Sequence, residues 1–204
     1  IYISGKEALS GKPEDLRRLR GGDVAYIFQD PLSTLHPLFS VGHQMVEAIR
    51  AHRIMPYKQA WSEAVARLRQ VQIPNPEARA HNLPHELSGG MRQRVSIAMA
   101  LVNKPKLLIA DEPSTALDVT VQAEILAILN DLRRQENLAV LFITHDFAVV
   151  SQLCDRVAVM YAGKIVEQGP SEALIASPQH PYTQRLMACV PELGKGKRKL
   201  VSIP

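Results

Sequence analysis

Aromatic side chains make up only 5% of this 204-residue sequence. That scarcity argues against the stacking platforms that hold single-stranded nucleic acids. Cysteine is rarer still: Cys154 and Cys189 stand far apart, and neither belongs to a C-x-x-C pair. A disulfide or zinc site is therefore not expected, and the cytosol is the default compartment. No apolar run approaches the roughly 18–20 residues of a membrane span, and no stretch reads as a signal peptide. Charge of one sign is also in short supply. The net +4 suits a phosphate ligand or an anionic surface but singles out neither. Because the chain opens on Ile1, the expectation is of a piece of something longer.

What is present fits one globular domain with room for a subdomain: 46% of residues are hydrophobic and 22% charged, enough to bury a core. Residues 1–20 are polar, with a basic run at Arg17, Arg18 and Arg20. VAYIF at 24–28 reads as a buried strand, and QDPLSTLHP after it is dense in turn formers. Residues 42–72 carry helical periodicity through Val46, Ile49, Trp61, Val65 and Leu68, and 73–86 is a proline-broken connection. A helix is expected from Ser88 to about Val102, strands at 107–110 and 139–143, helices at 119–134 and 147–153, and strands at 156–161 and 164–167 around Gly163. Strands that alternate with helices from 107 onward imply a parallel α/β sheet. The helix-only stretch from about 31 to 86 interrupts that alternation and reads as an inserted helical subdomain.

The chemistry concentrates in two places. LLIADEP, residues 107–113, runs four apolar residues into Asp111 and Glu112. Two adjacent acids at the end of a buried strand are costly unless a cation or a reacting water needs them, and Mg²⁺ on a nucleotide is the obvious cation. LSGGMRQR, residues 87–94, sets an N-capping Ser88 and two glycines at a helix start, where bare amides favour an anion. Alone, the second motif is as well explained by a capped helix after a loop.

Together the two resemble the signature motif and Walker B strand of ATP-binding cassette (ABC) ATPases. IFQDP at 27–31 resembles the Q-loop of that family, STALD at 114–118 its D-loop and FITHD at 142–146 its H-loop, all in the family's order. The resemblance implies an α/β, P-loop NTPase-like core carrying an α-helical subdomain. It divides the chain into 1–30, the remainder of the N-terminal core; 31–87, the helical subdomain; 88–177, the signature helix and ATPase core; and 178–204, a C-terminal extension. It implies ATP and Mg²⁺ as cofactors. Asp111 would hold the ion, through water, because Mg²⁺ keeps several waters. Glu112 would act as general base on the attacking water. His145 would bond the γ-phosphate, and Gln29 would reach the ion and the water. Asp118 would act across a dimer interface. Ser88, Gly89, Gly90 and Gln93 would serve the nucleotide held by the opposite subunit.

One part of the family's equipment is missing. A phosphate loop reads G-x-x-x-x-G-K-[ST], yet none of the Gly-Lys pairs here, at 5, 11, 163, 194 and 196, is followed by Ser or Thr. Only 28 residues precede Gln29, so the loop, its helix and the adenine-stacking aromatic of the family are absent from this sequence. The expectation is a chain poor at binding ATP in its own site.

IFQDPLSTLHP at 27–37, STALDVTVQAEIL at 114–126 and PQHPYTQRLMACVP at 178–191 further resemble the ATPases of peptide importers. That implies uptake of peptides across a bacterial inner membrane, with the ATPase peripheral on its cytoplasmic side. Implied partners are a second ATPase subunit, membrane permeases and a substrate-binding protein, with no nucleic acid. Nickel or glutathione uptake is the alternative within the class. A soluble, non-transport cassette ATPase, or a non-catalytic fragment, is the reading outside it. The 191–204 tail, with its KGKRK run at 195–199, reads as a solvated linker.

Overall fold

VAYI, LLIAD and AVLFI are three short, mainly apolar runs. They form one parallel sheet in the computed structural model, which describes residues 1–3, 5–8, 12–30, 34–113 and 117–188. Pro31, Ser114, Thr115, Ala116, Cys189 and the tail that follows it lie outside the described residues. The chain divides into two units, Ile1–Ile143 and Thr144–Pro204.

The first unit opens with a two-residue pair, β1 (Tyr2–Ile3) and β2 (Lys6–Glu7), and a helix, α1 (Pro13–Leu19). The sequence pattern did not announce α1, because its seven residues offer only Leu16 and Leu19 as apolar side chains. It rests instead on Pro13 at its start, Glu14 and Asp15 in the first turn and Arg17 and Arg18 in the last, which complement the helix dipole. The sheet consists of β3 (Val24–Ile27), β4 (Leu107–Asp111) and β5 (Ala139–Ile143), with β4 in the middle. Val24, Leu107 and Ala139 lie abreast, and so do Tyr26, Ile109 and Leu141. Alternation does the rest. Ala25, Ile27, Leu108 and Ala110 are buried on one face, whereas Tyr26, Leu141 and Ile143 are exposed on the other.

The inner face packs into an apolar cluster built mainly by helices. The 42–72 periodicity resolves into two of them, α2 (Val41–Arg50) and α3 (Tyr57–Gln70), broken by the 51–56 turn that ends in Pro56. Ser40 caps α2 by accepting from the His43 amide at 3.4 Å. The 73–86 connection holds a single helical turn, α4 (Pro76–Arg79), and a 3-10 turn at Pro84–Glu86. Then come α5 (Gly89–Leu101) and α6 (Val119–Glu136). Met45, Ile49, Leu68, Ile97, Leu101, Ile125 and Leu129 are almost fully buried in the shared cluster. Arg67 of α3 is 6% exposed and pairs with Glu136 at the end of α6, so the one buried charge of that helix is matched. Asn137, left-handed at φ 50°, stops α6 just before β5.

In the second unit, α7 (Phe147–Leu153) leads to an antiparallel hairpin, β6 (Arg156–Tyr161) and β7 (Lys164–Pro170), closed by Ala162 and Gly163, both at positive φ. α8 (Ser171–Ala176) and α9 (Pro181–Ala188) follow. The PQHPYT stretch is clipped to the hairpin by Glu167. Its carboxylate accepts from the backbone amides of Gln179 at 2.8 Å and His180 at 3.0 Å. The Tyr182 ring lies 4.4 Å from that of Tyr161. The Gln179 amide, followed by other donors at the same carboxylate, holds Glu167 below the usual glutamate range.

Two outcomes follow from these packings. A Cβ at Gly42 would sit 2.7 Å from the Ala80 carbonyl oxygen and 2.8 Å from Trp61 Cη2. Alanine's helical preference of about 1 kcal/mol is outweighed by an overpacking cost of about 1–3 kcal/mol, so Gly42→Ala lowers stability in urea denaturation. For Glu167, a lowered folded-state pKa means the clip is complete above the ordinary glutamate range and lost as pH falls through the lowered value. The amide NMR signals of Gln179 and His180 should shift together on acidification, and Glu167→Gln should abolish that dependence.

Candidate functional site

The two acids sit where β4 ends. Asp111 is its last residue, on the same face as Ile109 and hence as Tyr26. In a parallel pair, a residue two positions beyond the one abreast is a diagonal neighbour, within reach of a long aromatic side chain. The Tyr26 hydroxyl donates to Asp111 Oδ2 at 2.7 Å. Phe28 flanks it, ring centroids 4.4 Å apart. That hydrogen bond, reinforced by desolvation and by the negative charge of Asp111, raises the Tyr26 phenol above its ordinary value. The phenol therefore stays protonated, and a donor, at neutral pH.

Glu112 leaves the strand direction. Its φ of 44° lies in the left-handed region, which a glutamate adopts only when its surroundings insist. The surroundings here include β5: the Glu112 amide donates to the Ile143 carbonyl at 2.9 Å, extending the ladder by one bond. Gln29, exposed just past β3, donates from Nε2 to Glu112 Oε2 at 3.0 Å. Each of the adjacent carboxylates is thus held by a different neutral donor delivered by β3 and the residues after it. Both acids are half-buried.

Ser88 caps α5 as expected, accepting from the Met91 amide at 3.3 Å, and Asp118 caps α6, accepting from the Val121 amide at 2.9 Å. The two helix starts lie against each other: a Cβ on Gly90 would be 2.7 Å from Val121 Cγ1, whereas one on Gly89 would find only Leu117, at 3.8 Å. Gly90 is therefore needed for close approach. Gln93, read from the sequence as ligand-facing, is 2% exposed, so it points into the core and is not presented at the surface. His145 belongs to the second unit and is exposed there, in a turn where the Asp146 amide donates to Thr144 Oγ1 at 3.0 Å.

The donor set indicates which cation fits. Among the described residues no group of three or more His, Cys, Asp or Glu could enclose a metal ion. One strand-end carboxylate with a second beside it is what Mg²⁺ uses when phosphates and waters complete its shell. The Gly-Lys pairs described do not supply the phosphate grip. Gly5 lies in the β1–β2 turn with Lys6 opening β2, Gly163 lies in the β6–β7 turn with Lys164 opening β7, and neither pair opens a helix. Sequence reasoning missed Tyr26. The available signal was a hydroxyl-bearing aromatic in the strand that precedes Gln29. No helix among the described residues is long and apolar enough to cross a membrane.

Comparison with known proteins is in keeping with this geometry. The family profile described as ABC transporter matches residues 1–115, and that of the oligopeptide/dipeptide transporter C-terminal region matches 166–204. The chain is 46% identical over 204 residues to the dipeptide transport ATP-binding protein DppD of Escherichia coli strain K12, covering all of this chain and 62% of that protein. It is 52% identical over 179 residues to the glutathione import ATP-binding protein GsiA of Salmonella choleraesuis strain SC-B67, covering 88% of this chain and 29% of that protein. The chain thus spans less than two thirds of the length of these relatives. Among solved structures it resembles the dimeric ATP-binding cassette MJ0796 bound to ADP and Pi, with a TM-score of 0.73 and 25% identity over 83% of this chain and 72% of that one.

The paired helix starts generate a contrast. Gly90→Ala should cost about 1 kcal/mol of stability, while Gly89→Ala stays within about 0.5 kcal/mol. Adding Val121→Ala should recover most of the Gly90→Ala loss, a coupling that a double-mutant cycle in urea reads directly.

Proposed function

The chain belongs to the ABC transporter family, and from that premise we propose that it is the larger part of an ATP-hydrolysing subunit that energises peptide import across a bacterial inner membrane. The observation that carries this reading is the pair of strand-end carboxylates, each tethered by its own donor: Gln29 on Glu112 and Tyr26 on Asp111. The likeness to dipeptide transport ATPases and the match to the peptide-transporter C-terminal region support the choice of cargo.

In this reading Asp111 and Gln29 would hold the Mg²⁺ of a bound nucleotide. When bound, the ion neutralises phosphate charge and fixes the phosphates in place. Glu112 takes the proton of the attacking water, with Gln29 orienting its carboxylate. His145 contacts the γ-phosphate. Ser88, Gly89 and Gly90, at the start of α5, offer amides to a nucleotide held by a second ATPase subunit, and Asp118 lies at that same junction. Gln93 supports this helix from its buried side. The 31–87 block meets the membrane permease, to which a substrate-binding protein delivers cargo; Leu38 and Phe39 are exposed apolar side chains there. The subunit works peripherally, on the cytoplasmic face. The higher identity to a glutathione import protein, over a shorter stretch, favours glutathione as the second reading of the cargo.

Titration calorimetry with Mg-ATP tests this. The full-length protein carrying Glu112→Gln should bind Mg-ATP while its turnover falls by about 10²–10⁴-fold, the usual contribution of a general base. The 204-residue chain alone, without a G-x-x-x-x-G-K-[ST] loop, should bind it poorly. Undiminished turnover in Glu112→Gln would sink the assignment of the base. Tight binding by the chain alone would show that another segment grips the phosphates.

A further inference from the structure

We propose that Tyr26 is a positioning residue for the metal-holding carboxylate: its hydroxyl fixes the Asp111 side chain and leaves one carboxylate oxygen for the ion. This rests on the reading of Asp111 given above. Tyr26 Oη donates to Asp111 Oδ2 at 2.7 Å, so one oxygen of the pair is already committed. The bond spans two strands whose register is set by Tyr26 lying abreast of Ile109, two residues before Asp111. The ring is itself braced by Phe28, at 4.4 Å. The hydroxyl therefore reaches Asp111 from a rigid element, as a group that orients a metal ligand must.

A neutral donor is the right chemistry for the task. A lysine or arginine at this position would pair with Asp111, but it would also cancel the negative charge that draws a cation. A phenol fixes the orientation and leaves the charge in place. It also separates the roles of the two adjacent acids. Gln29 donates to Glu112 from beyond the end of β3, and Tyr26 donates to Asp111 from within it, so each carboxylate has a donor of its own. Hydrogen-bond partners of metal ligands typically change metal affinity by about 10–100-fold when removed.

The test uses the full-length protein and Tyr26→Phe, which keeps the ring and its contact with Phe28 and removes only the hydroxyl. Mn²⁺ is titrated by electron paramagnetic resonance in the presence of the non-hydrolysable analogue AMP-PNP, and AMP-PNP binding is measured separately in EDTA. Tyr26→Phe is expected to weaken Mn²⁺ retention by about tenfold with unchanged metal-free nucleotide binding. Equal Mn²⁺ affinity in wild type and variant would overturn the inference alone. An equal loss of nucleotide binding in EDTA would also overturn it, because Tyr26 would then be a packing residue. Wild-type protein that holds no Mn²⁺ with the nucleotide would overturn both the inference and the reading on which it rests.

Discussion

Two carboxylates on consecutive residues repel one another, and at the end of a half-buried strand both lose part of their hydration. The structure resolves this by turning the backbone and by supplying donors. Asp111 keeps the strand conformation, whereas Glu112 adopts φ 44°, so the pair no longer follows the alternation of the pleat. Tyr26 and Gln29 then take one acid each. Both donors depend on the pairing of β3 with β4. A slip of one residue would bring Ala25 or Ile27 to the outer face and carry Tyr26 away from Asp111. What prevents the slip is burial, because Ala25 and Ile27 are locked into the apolar cluster with Leu108. The polar site is thus held in register by apolar packing on the opposite side of the same strands.

Much of this is legible in the sequence. The three sheet strands, the helix capped by Ser88 and the helix after Asp118 follow from apolar runs and capping residues, which are local signals. Asp111 and Glu112 were conspicuous because acids interrupt an apolar strand. Gln29 became conspicuous through its neighbours in IFQDP. Tyr26 did not, because in a linear reading an aromatic inside a strand is core, and only the pairing register shows where its hydroxyl goes. Gln93 reads as ligand-facing from its glycine-led motif, and it lies buried on α5 in this chain. The 42–72 periodicity is two helices because apolar residues recur at helical spacing on both sides of the turn that ends in Pro56. α1 was invisible because proline at its start and charges at its two ends favour it, and Leu16 and Leu19 are its only apolar side chains.

The second unit illustrates how a motif can be structural where it reads as functional. The PQHPYT stretch marks a subclass of transport ATPases by resemblance, yet its described contacts are mechanical. A strand glutamate gathers the amides of Gln179 and His180, and a tyrosine pair seals the junction. Glu167 was unremarkable in sequence because it sits inside a strand, where an exposed acid usually means only a solvated face. Its partners lie 12 and 13 residues later, beyond the range of local pattern reading.

The outer face of the sheet has a consequence for handling the molecule. β5 has a hydrogen-bonded neighbour on one side only among the described residues, and it displays Leu141 and Ile143 to solvent. Parallel strands are ordinarily covered on both faces, and a strand with an unpaired edge is a ready template for another. Concentration therefore becomes a variable in its own right for the isolated chain. Dilution favours single molecules, and crowding invites strand addition between copies. A dose series read by light scattering belongs beside every binding curve, so that a change in assembly is not mistaken for a change in affinity.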